Sequence, residues 1–190
     1  MGQERTLSLV IPAKDEEANI ATLLTEAYGV MRDYHGFEVV LVDDGSTDRT
    51  LDTAVRTARA LGGRLLTIRH ERSIGQSGAL ASGIRQARSR LIVTMDGDGQ
   101  NDPADLPDLY RQLTRQDAPE KLNMVMGRRA KRKDTAWKRF GSRFANNIRK
   151  RMLKDDCDDS GCGIKVMKRA AYIQLPYFDH MHRYMPALMR

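Results

Sequence analysis

Residues 91–100 read LIVTMDGDGQ, an apolar run followed at once by two closely spaced aspartates. The apolar run at 91–95 indicates a buried strand, and Asp96-Gly97-Asp98 follows it directly. Two carboxylates one residue apart, with glycines that permit close backbone approach, suit a hard divalent cation that also binds phosphates. The alternative, an ordinary Asp-Gly surface turn, is disfavoured by the apolar strand that leads into it.

Further strands and helices alternate along the chain around this stretch. Apolar runs predict strands at residues 6–11, 37–42, 64–69 and 124–126, in addition to 91–95. Apolar positions at helical spacing predict helices across residues 20–31, 51–61, 76–88 and 103–113. This alternation predicts an α/β fold, with a mostly parallel sheet flanked by helices, in a single domain over residues 1–190.

A second acidic cluster, Asp43-Asp44-Gly45-Ser46, also follows a predicted strand. In open parallel sheets, ligands bind in the crevice at the carboxyl ends of the strands, where both acidic clusters are expected. A carboxylate here can accept a hydrogen bond from a nucleobase or a ribose. The alternative is that this cluster caps the following helix, through Asp44 or Ser46, and the two uses can coexist. Thr47 is a further residue that can cap this helix.

The charge of the chain is concentrated in one segment. The 190 residues carry a net charge of +7, but residues 128–154 alone carry +11, which leaves −4 for the remainder. A local basic patch with one partner therefore explains the charge better than a globally basic protein. No stretch approaches the roughly 20 apolar residues needed to span a bilayer, so a soluble, non-secreted protein is expected.

Four ordered motifs resemble those of family 2 glycosyltransferases: residues 8–20 (SLVIPAKDEEANI), 40–50 (VLVDDGSTDRT), 75–83 (GQSGALASG) and 93–100 (VTMDGDGQ). Residues 127–129, 159–165, 175–179 and 181–184 are similar to the dolichol- and polyprenyl-phosphate branch, which includes dolichol-phosphate mannosyltransferases. The resemblance implies a GT-A (Rossmann-like) fold and inverting transfer from a UDP- or GDP-sugar to an undecaprenyl or dolichyl phosphate. It also implies Mg2+ or Mn2+ as the cofactor and a cytoplasmic location, peripheral on the membrane.

The resemblance assigns roles to individual residues. It implies nucleotide-sugar contacts by Pro12, Ala13, Glu16, Val42, Asp44, Asp96, Gly97, Arg128 and Arg129, and metal ligands at Asp96, Asp98 and Gln100. The implied catalytic residues are Asp98, Arg129 near the donor phosphates, and Asp159 beside the acceptor. Lys14 departs from an aromatic residue common in the family at that place. Relatives carry a further C-terminal Arg and a Gly-x-Ser-Lys motif, so the domain is expected to lack its C-terminal end.

The basic segment contains a predicted amphipathic helix at residues 135–154. Its apolar face is formed by Trp137, Phe140, Phe144, Ala145, Ile148 and Met152. We expect Trp137, Lys138, Arg139, Phe144 and Arg149 to form a membrane and acceptor patch, because aromatic residues flanked by cations are typical of interfacial helices on anionic membranes. The alternative is a solvated helix that packs this apolar face on the core.

Other functions fit the sequence less well. A nucleotidylyltransferase would need a glycine- and arginine-rich loop after the first strand, where this chain has Pro12-Ala13-Lys14-Asp15-Glu16. A nucleic-acid-binding protein is disfavoured because the cations occupy one segment and no recognised nucleic-acid motif is present. The open alternatives are a soluble glycosyltransferase with a saccharide or small-molecule acceptor, and an inactive relative that binds nucleotide-sugars.

Overall fold

The computed structural model describes residues 7–127 and 162–189, and within them six strands form one sheet. The strands are β1 (Leu7–Ala13), β2 (Phe37–Asp43), β3 (Leu65–Arg69), β4 (Leu91–Thr94), β5 (Met124–Met126) and β6 (Lys165–Lys168). The helices are α1 (Ile20–Met31), α2 (Thr50–Ala60), α3 (Gly75–Gln86), α4 (Leu106–Thr114), α5 (Arg169–Ile173) and α6 (Met185–Leu188). Short 3-10 turns lie at Pro103–Asp105 and Met181–Arg183.

The strand order is β3-β2-β1-β4-β6-β5, and the first four strands in this order are parallel. The chain order reverses between β1 and β4, so the loops that follow these two strands diverge and leave a crevice at the carboxyl edge of the sheet. β6 is antiparallel to both β4 and β5. The predicted mostly parallel α/β fold is therefore confirmed.

The strand β6 is absent from the sequence prediction. Its four residues, Lys-Val-Met-Lys, are too short to show a period, and a lysine at each end masks the apolar pair. Pairing with β4 and β5 stabilises it, and even Lys165 is buried at 5% exposure, with its ammonium group donating to the Cys162 carbonyl. The antiparallel strand brings the chain at Lys165 back to the carboxyl edge of β4, opposite Thr94.

The two faces of the sheet are covered by different helices. Alternate β1 residues Leu7, Leu9 and Ile11 pack with α1 and α4 on one face, whereas Val10 packs with α3 and the C-terminal turn on the other. Helix α3 approaches the sheet closely at Gly83, where a Cβ atom would overlap Val10 Cγ1 and lie 2.9 Å from Val42 Cγ2. The close approach sets the height of the α3 N-terminus above the carboxyl edge.

Replacing Gly83 by alanine tests this packing. Overpacking typically costs about 1–3 kcal/mol, and the better helix propensity of alanine returns about 1 kcal/mol, so Gly83→Ala should lower the free energy of unfolding. Gly29→Ala is the matched control, because Gly29 lies in α1 with nothing within 4 Å of its added Cβ. That change should stabilise the protein by about 0.5–1 kcal/mol in urea unfolding. Equal responses at the two glycines would contradict the packing described.

Candidate functional site

A cavity of about 330 Å³ lies at the carboxyl edge, between the loops that follow β1 and β4. Seven of the residues predicted from the sequence line it: Pro12, Ala13, Glu16, Asp44, Asp96, Gly97 and Asp98. The remaining lining residues are Lys14, Ser73, Gly75, Gln76 and Ala79. The structure therefore brings together residues from four separate parts of the sequence.

Two predicted residues lie outside the lining of the cavity. Val42 is fully buried in the core, where its side chain faces α3 at Gly83, so its side chain is not positioned to contact a ligand. Gln100 has an exposed side chain, and its backbone N–H donates to Asp98 Oδ1 at 3.0 Å.

The carboxylate of Asp44 joins the end of β2 to the segment that begins α3. Its Oδ1 lies 2.8 Å from His70 Nδ1 and accepts from Ile74 N at 2.9 Å. Its Oδ2 accepts from Ser73 Oγ at 2.8 Å and from Gly75 N at 3.0 Å. Burial alone would raise the pKa of Asp44, but the hydrogen bonds from Ile74, His70, Ser73 and Gly75 together lower it below its ordinary value. The group is therefore ionised at neutral pH.

These four bonds bear on the role predicted for Asp44. A carboxylate has about four acceptor positions, and protein groups occupy all four here. Direct contact with a base or ribose would therefore need one of these bonds to be exchanged. Because Ile74 N and Gly75 N open helix α3, Asp44 also occupies the position at the helix N-terminus that would otherwise suit a phosphate.

The loops after β1 and β2 are joined by reciprocal hydrogen bonds. Asp15 N donates to Ser46 Oγ at 3.0 Å, Thr47 N donates to Asp15 Oδ1 at 2.8 Å, and Glu16 N donates to Thr50 Oγ1 at 2.7 Å. Asp15 adopts a φ of 56°, a left-handed conformation that these bonds help to hold. The predicted capping of the next helix by Ser46 or Thr47 is wrong, because α2 begins at Thr50 and both residues are used in this contact.

The two aspartates after β4 are held differently. Asp96 Oδ1 accepts from Gln76 Nε2 at 2.6 Å, so the first turn of α3 supports this carboxylate. Asp98 Oδ1 accepts from Gln100 N, and no hydrogen bond from a described residue reaches its Oδ2. Between them, Gly97 is buried, and a Cβ there would lie 3.1 Å from the Pro12 carbonyl oxygen. A side chain here would push β1 and the Asp96–Asp98 segment apart by a few tenths of an ångström.

Gly163 supports Asp96 from the opposite side. A Cβ atom at Gly163 would overlap Asp96 Oδ2 and lie 2.8 Å from Asn101 Nδ2. The backbone just before β6 therefore packs directly on the carboxylate. The contacts of Gly163 and Gln76 with Asp96 are not predicted from the sequence. The position of the Gly75-Gln76 pair after β3, at the same edge of the sheet, is the signal that indicates Gln76.

A divalent cation fits this donor set together with a phosphate ligand. Within residues 7–127 and 162–189, no three His, Cys, Asp or Glu side chains are grouped so that they could hold a metal by themselves. Mg2+ in phosphate-transfer sites is usually held by one or two carboxylates, with phosphate oxygens and water completing its shell. The carboxylates of Asp96 and Asp98 match that pattern, and Asp98 has an oxygen available in the cavity.

The C-terminal 3-10 turn is attached to α3 near the cavity. The buried Ser77 hydroxyl accepts from His182 N at 3.3 Å and lies 2.7 Å from His182 Nδ1. Because the Ser77 hydroxyl accepts a hydrogen bond from His182 N, its own O–H can donate to His182 Nδ1. The neutral imidazole that carries its proton on Nε2 matches this arrangement. The contact fixes the position of the turn against the first part of α3.

The other predicted residues lie outside the described part of the chain. These are Arg128, Arg129, Asp159 and the helix at 135–154 with Trp137, Lys138, Arg139, Phe144 and Arg149. Among the helices that are described, none is long and apolar enough to cross a membrane.

Sequence comparisons place the chain among known proteins. The model of glycosyl transferase family 2 matches residues 8–175. A dodecaprenyl-phosphate galacturonate synthase of Rhizobium johnstonii is 37% identical over 187 residues, which cover 97% of this chain and 54% of the relative. An undecaprenyl-phosphate 4-deoxy-4-formamido-L-arabinose transferase of Pseudomonas aeruginosa is 33% identical over 165 residues, 86% of this chain and 47% of the relative. The chain thus spans about half the length of the curated relatives it matches.

Solved structures share the fold. Glucosyl-3-phosphoglycerate synthase of Mycobacterium tuberculosis in complex with UDP aligns with a TM-score of 0.67 and 23% identity, over 91% of this chain and 60% of that one. A mannosyltransferase of Pyrobaculum calidifontis in complex with GDP-Man and Mn2+ aligns with a TM-score of 0.66 and 22% identity, over 92% and 48% of the two chains. The fold expected from the resemblance, GT-A, is confirmed.

The half-buried His182 predicts a pH dependence of stability. Burial first, and then the charges of Arg183 and Lys165, lower the pKa of His182 from 6.5 to about 4. Between these values the unfolded chain binds a proton that the folded chain does not, so stability should fall as the pH drops from about 6.5 towards 4. His182→Gln should reduce this loss in urea unfolding at pH 7 and pH 4.5. An unaltered pH dependence in His182→Gln would contradict the prediction.

Proposed function

Because the chain belongs to glycosyl transferase family 2, we propose that it transfers a sugar, with inversion, from a nucleoside-diphosphate donor to a polyprenyl phosphate. The names of the Rhizobium and Pseudomonas relatives describe reactions on dodecaprenyl and undecaprenyl phosphate. The observation that carries the proposal is the cavity at the crevice between β1 and β4, in which Asp96 and Asp98 meet the β1 loop and Asp44.

The charges of the cavity explain why the donor needs a cation. Its lining includes the carboxylates of Glu16, Asp44, Asp96 and Asp98 and one ammonium group, that of Lys14. A diphosphate entering this acidic cavity would be repelled without added positive charge. The N-terminus of α3 does not supply that charge, because Asp44 already accepts its first amides.

Asp98 is the residue best placed to hold Mg2+ or Mn2+, with Asp96 and Gln100 as the further predicted ligands. When bound, such an ion stabilises the negative charge that develops on the departing diphosphate. Gln76 and Gly163 keep Asp96 in position. The buried Gly97 lets the backbone of the Asp96–Asp98 segment lie close to β1. Solved neighbours of the same fold contain Mn2+ with UDP-glucose or GDP-Man, which supports a divalent ion.

An acceptor that is itself a phosphate needs little general-base catalysis from the protein. The second pKa of a phosphate monoester is about 6, so the attacking oxygen is already anionic near neutral pH and needs little help from a base. Positioning and charge compensation would then contribute most of the catalysis, with Arg128 or Arg129 near the phosphates. Asp159 would act as a general base only if the acceptor were a hydroxyl group. The basic segment at 135–154, predicted to be an amphipathic helix, would hold the protein at the cytoplasmic face of the membrane.

Asp98→Asn tests the proposed reaction. Loss of this carboxylate should lower transfer from UDP- or GDP-sugars to undecaprenyl phosphate at least about 100-fold, by analogy with other lost transition-state contacts. The variant should keep the melting temperature of the unliganded protein. Asp52→Asn, an exposed acid in the first turn of α2, is the control and should retain activity. Near-parental turnover in Asp98→Asn would remove the proposed role of this residue.

Gly163→Ala tests the support of Asp96. The added methyl group should displace the Asp96 carboxylate, and a displacement of about 1 Å in a catalytic group can cost up to about 100-fold in rate. We expect transfer to fall about 10- to 100-fold in a protein that still folds. Gly29→Ala, which meets no neighbouring atom, should leave the rate unchanged. Full activity in Gly163→Ala would show that the position of Asp96 is not critical.

A further inference from the structure

Four large apolar side chains are exposed beside the cavity. They are Ile74, Tyr177, Phe178 and Tyr184, at 47%, 50%, 39% and 41% exposure, and we call them the aromatic patch. Phe178 and Tyr184 are in ring contact, with centroids 6.0 Å apart. A Cβ at Gly78 would lie 2.8 Å from Ile74 Cδ1 and 3.4 Å from Tyr177 Oη, so these two side chains meet over Gly78.

The aromatic patch begins at the rim of the cavity. Ile74 stands between Ser73 and Gly75, which both line the cavity, and its backbone amide is held by Asp44. The cavity wall and the patch are thus parts of one continuous surface. A ligand that fills the cavity and extends past the α3 N-terminus would next meet Ile74 and Tyr177.

The turn that carries Tyr184 is fixed in place. Met181 and Met185, on either side of Tyr184, are buried at 2% and 1% exposure, and the Ser77–His182 contact anchors the same turn to α3. The buried methionines meet the need for core packing, and Tyr184 remains outside. Arg183 in this turn is also exposed, which places a cation next to the apolar side chains in sequence.

Single exposed apolar residues need no explanation, and Val55 and Leu61 near α2 are of that kind. A group of aromatic residues that adjoins a cavity is different, because apolar surface of this kind is typical of ligand or partner contact. The matching ligand is apolar along its length, and a negative group at its end can enter the acidic cavity only together with the cation proposed at Asp98. A prenyl phosphate has this chemistry.

We infer that the aromatic patch binds the first isoprene units of the acceptor while its phosphate lies in the cavity. This inference rests on the proposed function. The phosphate has to reach the donor sugar, so the chain attached to it has to leave through the mouth of the cavity. Isoprene carbons that lie on Ile74, Tyr177 and Phe178 leave water, which stabilises the bound acceptor. Longer acceptors should therefore bind more tightly until the patch is covered.

The test compares two water-soluble acceptors with the same phosphate, dimethylallyl phosphate with one isoprene unit and farnesyl phosphate with three. Both are used below their micelle concentration, with the full chain and no membrane. In the double variant Tyr177→Ser/Phe178→Ser, the KM for farnesyl phosphate should rise about 10-fold, while the KM for dimethylallyl phosphate, whose single unit covers less of the patch, should rise much less. The matched control is Val55→Ser/Leu61→Ser, which removes equally exposed apolar side chains and should change neither KM.

The outcomes separate this inference from the proposed function. If no prenyl phosphate accepts a sugar, the proposed function fails, and the inference fails with it. If both acceptors react and the variant keeps the parental preference for farnesyl phosphate, the inference alone is overturned. Loss of vesicle binding by the variant with an unchanged KM for farnesyl phosphate would assign the patch to the membrane surface and would also overturn it.

Discussion

The carboxylate of Asp44 is the constraint on which the candidate site depends. It joins the end of β2 to residues 70–75, and so it positions both Ser73 and Gly75 in the cavity wall. An ionised group at 5% exposure is tolerated because four hydrogen bonds replace its contacts with water. Removal of the carboxylate would leave the opening amides of α3 without their acceptor and would release one wall of the cavity.

The same interaction determines the electrostatics of the cavity. The Asp44 carboxylate already compensates the partial positive charge at the N-terminus of α3, so this helix end does not offer a site for a phosphate. In the proposed function, a diphosphate ligand would depend on a cation held at Asp98 and on Lys14 for charge compensation. The basic segment at 128–154 would complement the acidic cavity by offering its positive charges to phosphates and to an anionic surface.

Local patterns account for what the sequence could predict. Apolar runs and helical spacing predicted five of the six strands and the helices up to residue 114, and acidic residues after strands predicted the edge where the cavity lies. The strand β6 escaped prediction because it is stabilised by pairing with β4, far away in the sequence. The contacts of Asp96 with Gln76, 20 residues away, and with Gly163 arise in the same way from the folded sheet. Val42 shows the reverse case, since its motif predicts a ligand contact and its side chain lies in the core.

Anomalous diffraction at the manganese edge, on crystals of this chain grown with Mn2+ and UDP or GDP, would locate the proposed cation relative to Asp98. One strong peak is expected next to the Asp98 carboxylate, inside the cavity between β1 and β4 and in contact with the diphosphate. A nucleotide bound elsewhere on the protein, or a manganese peak remote from Asp98, would contradict this placement of the cation.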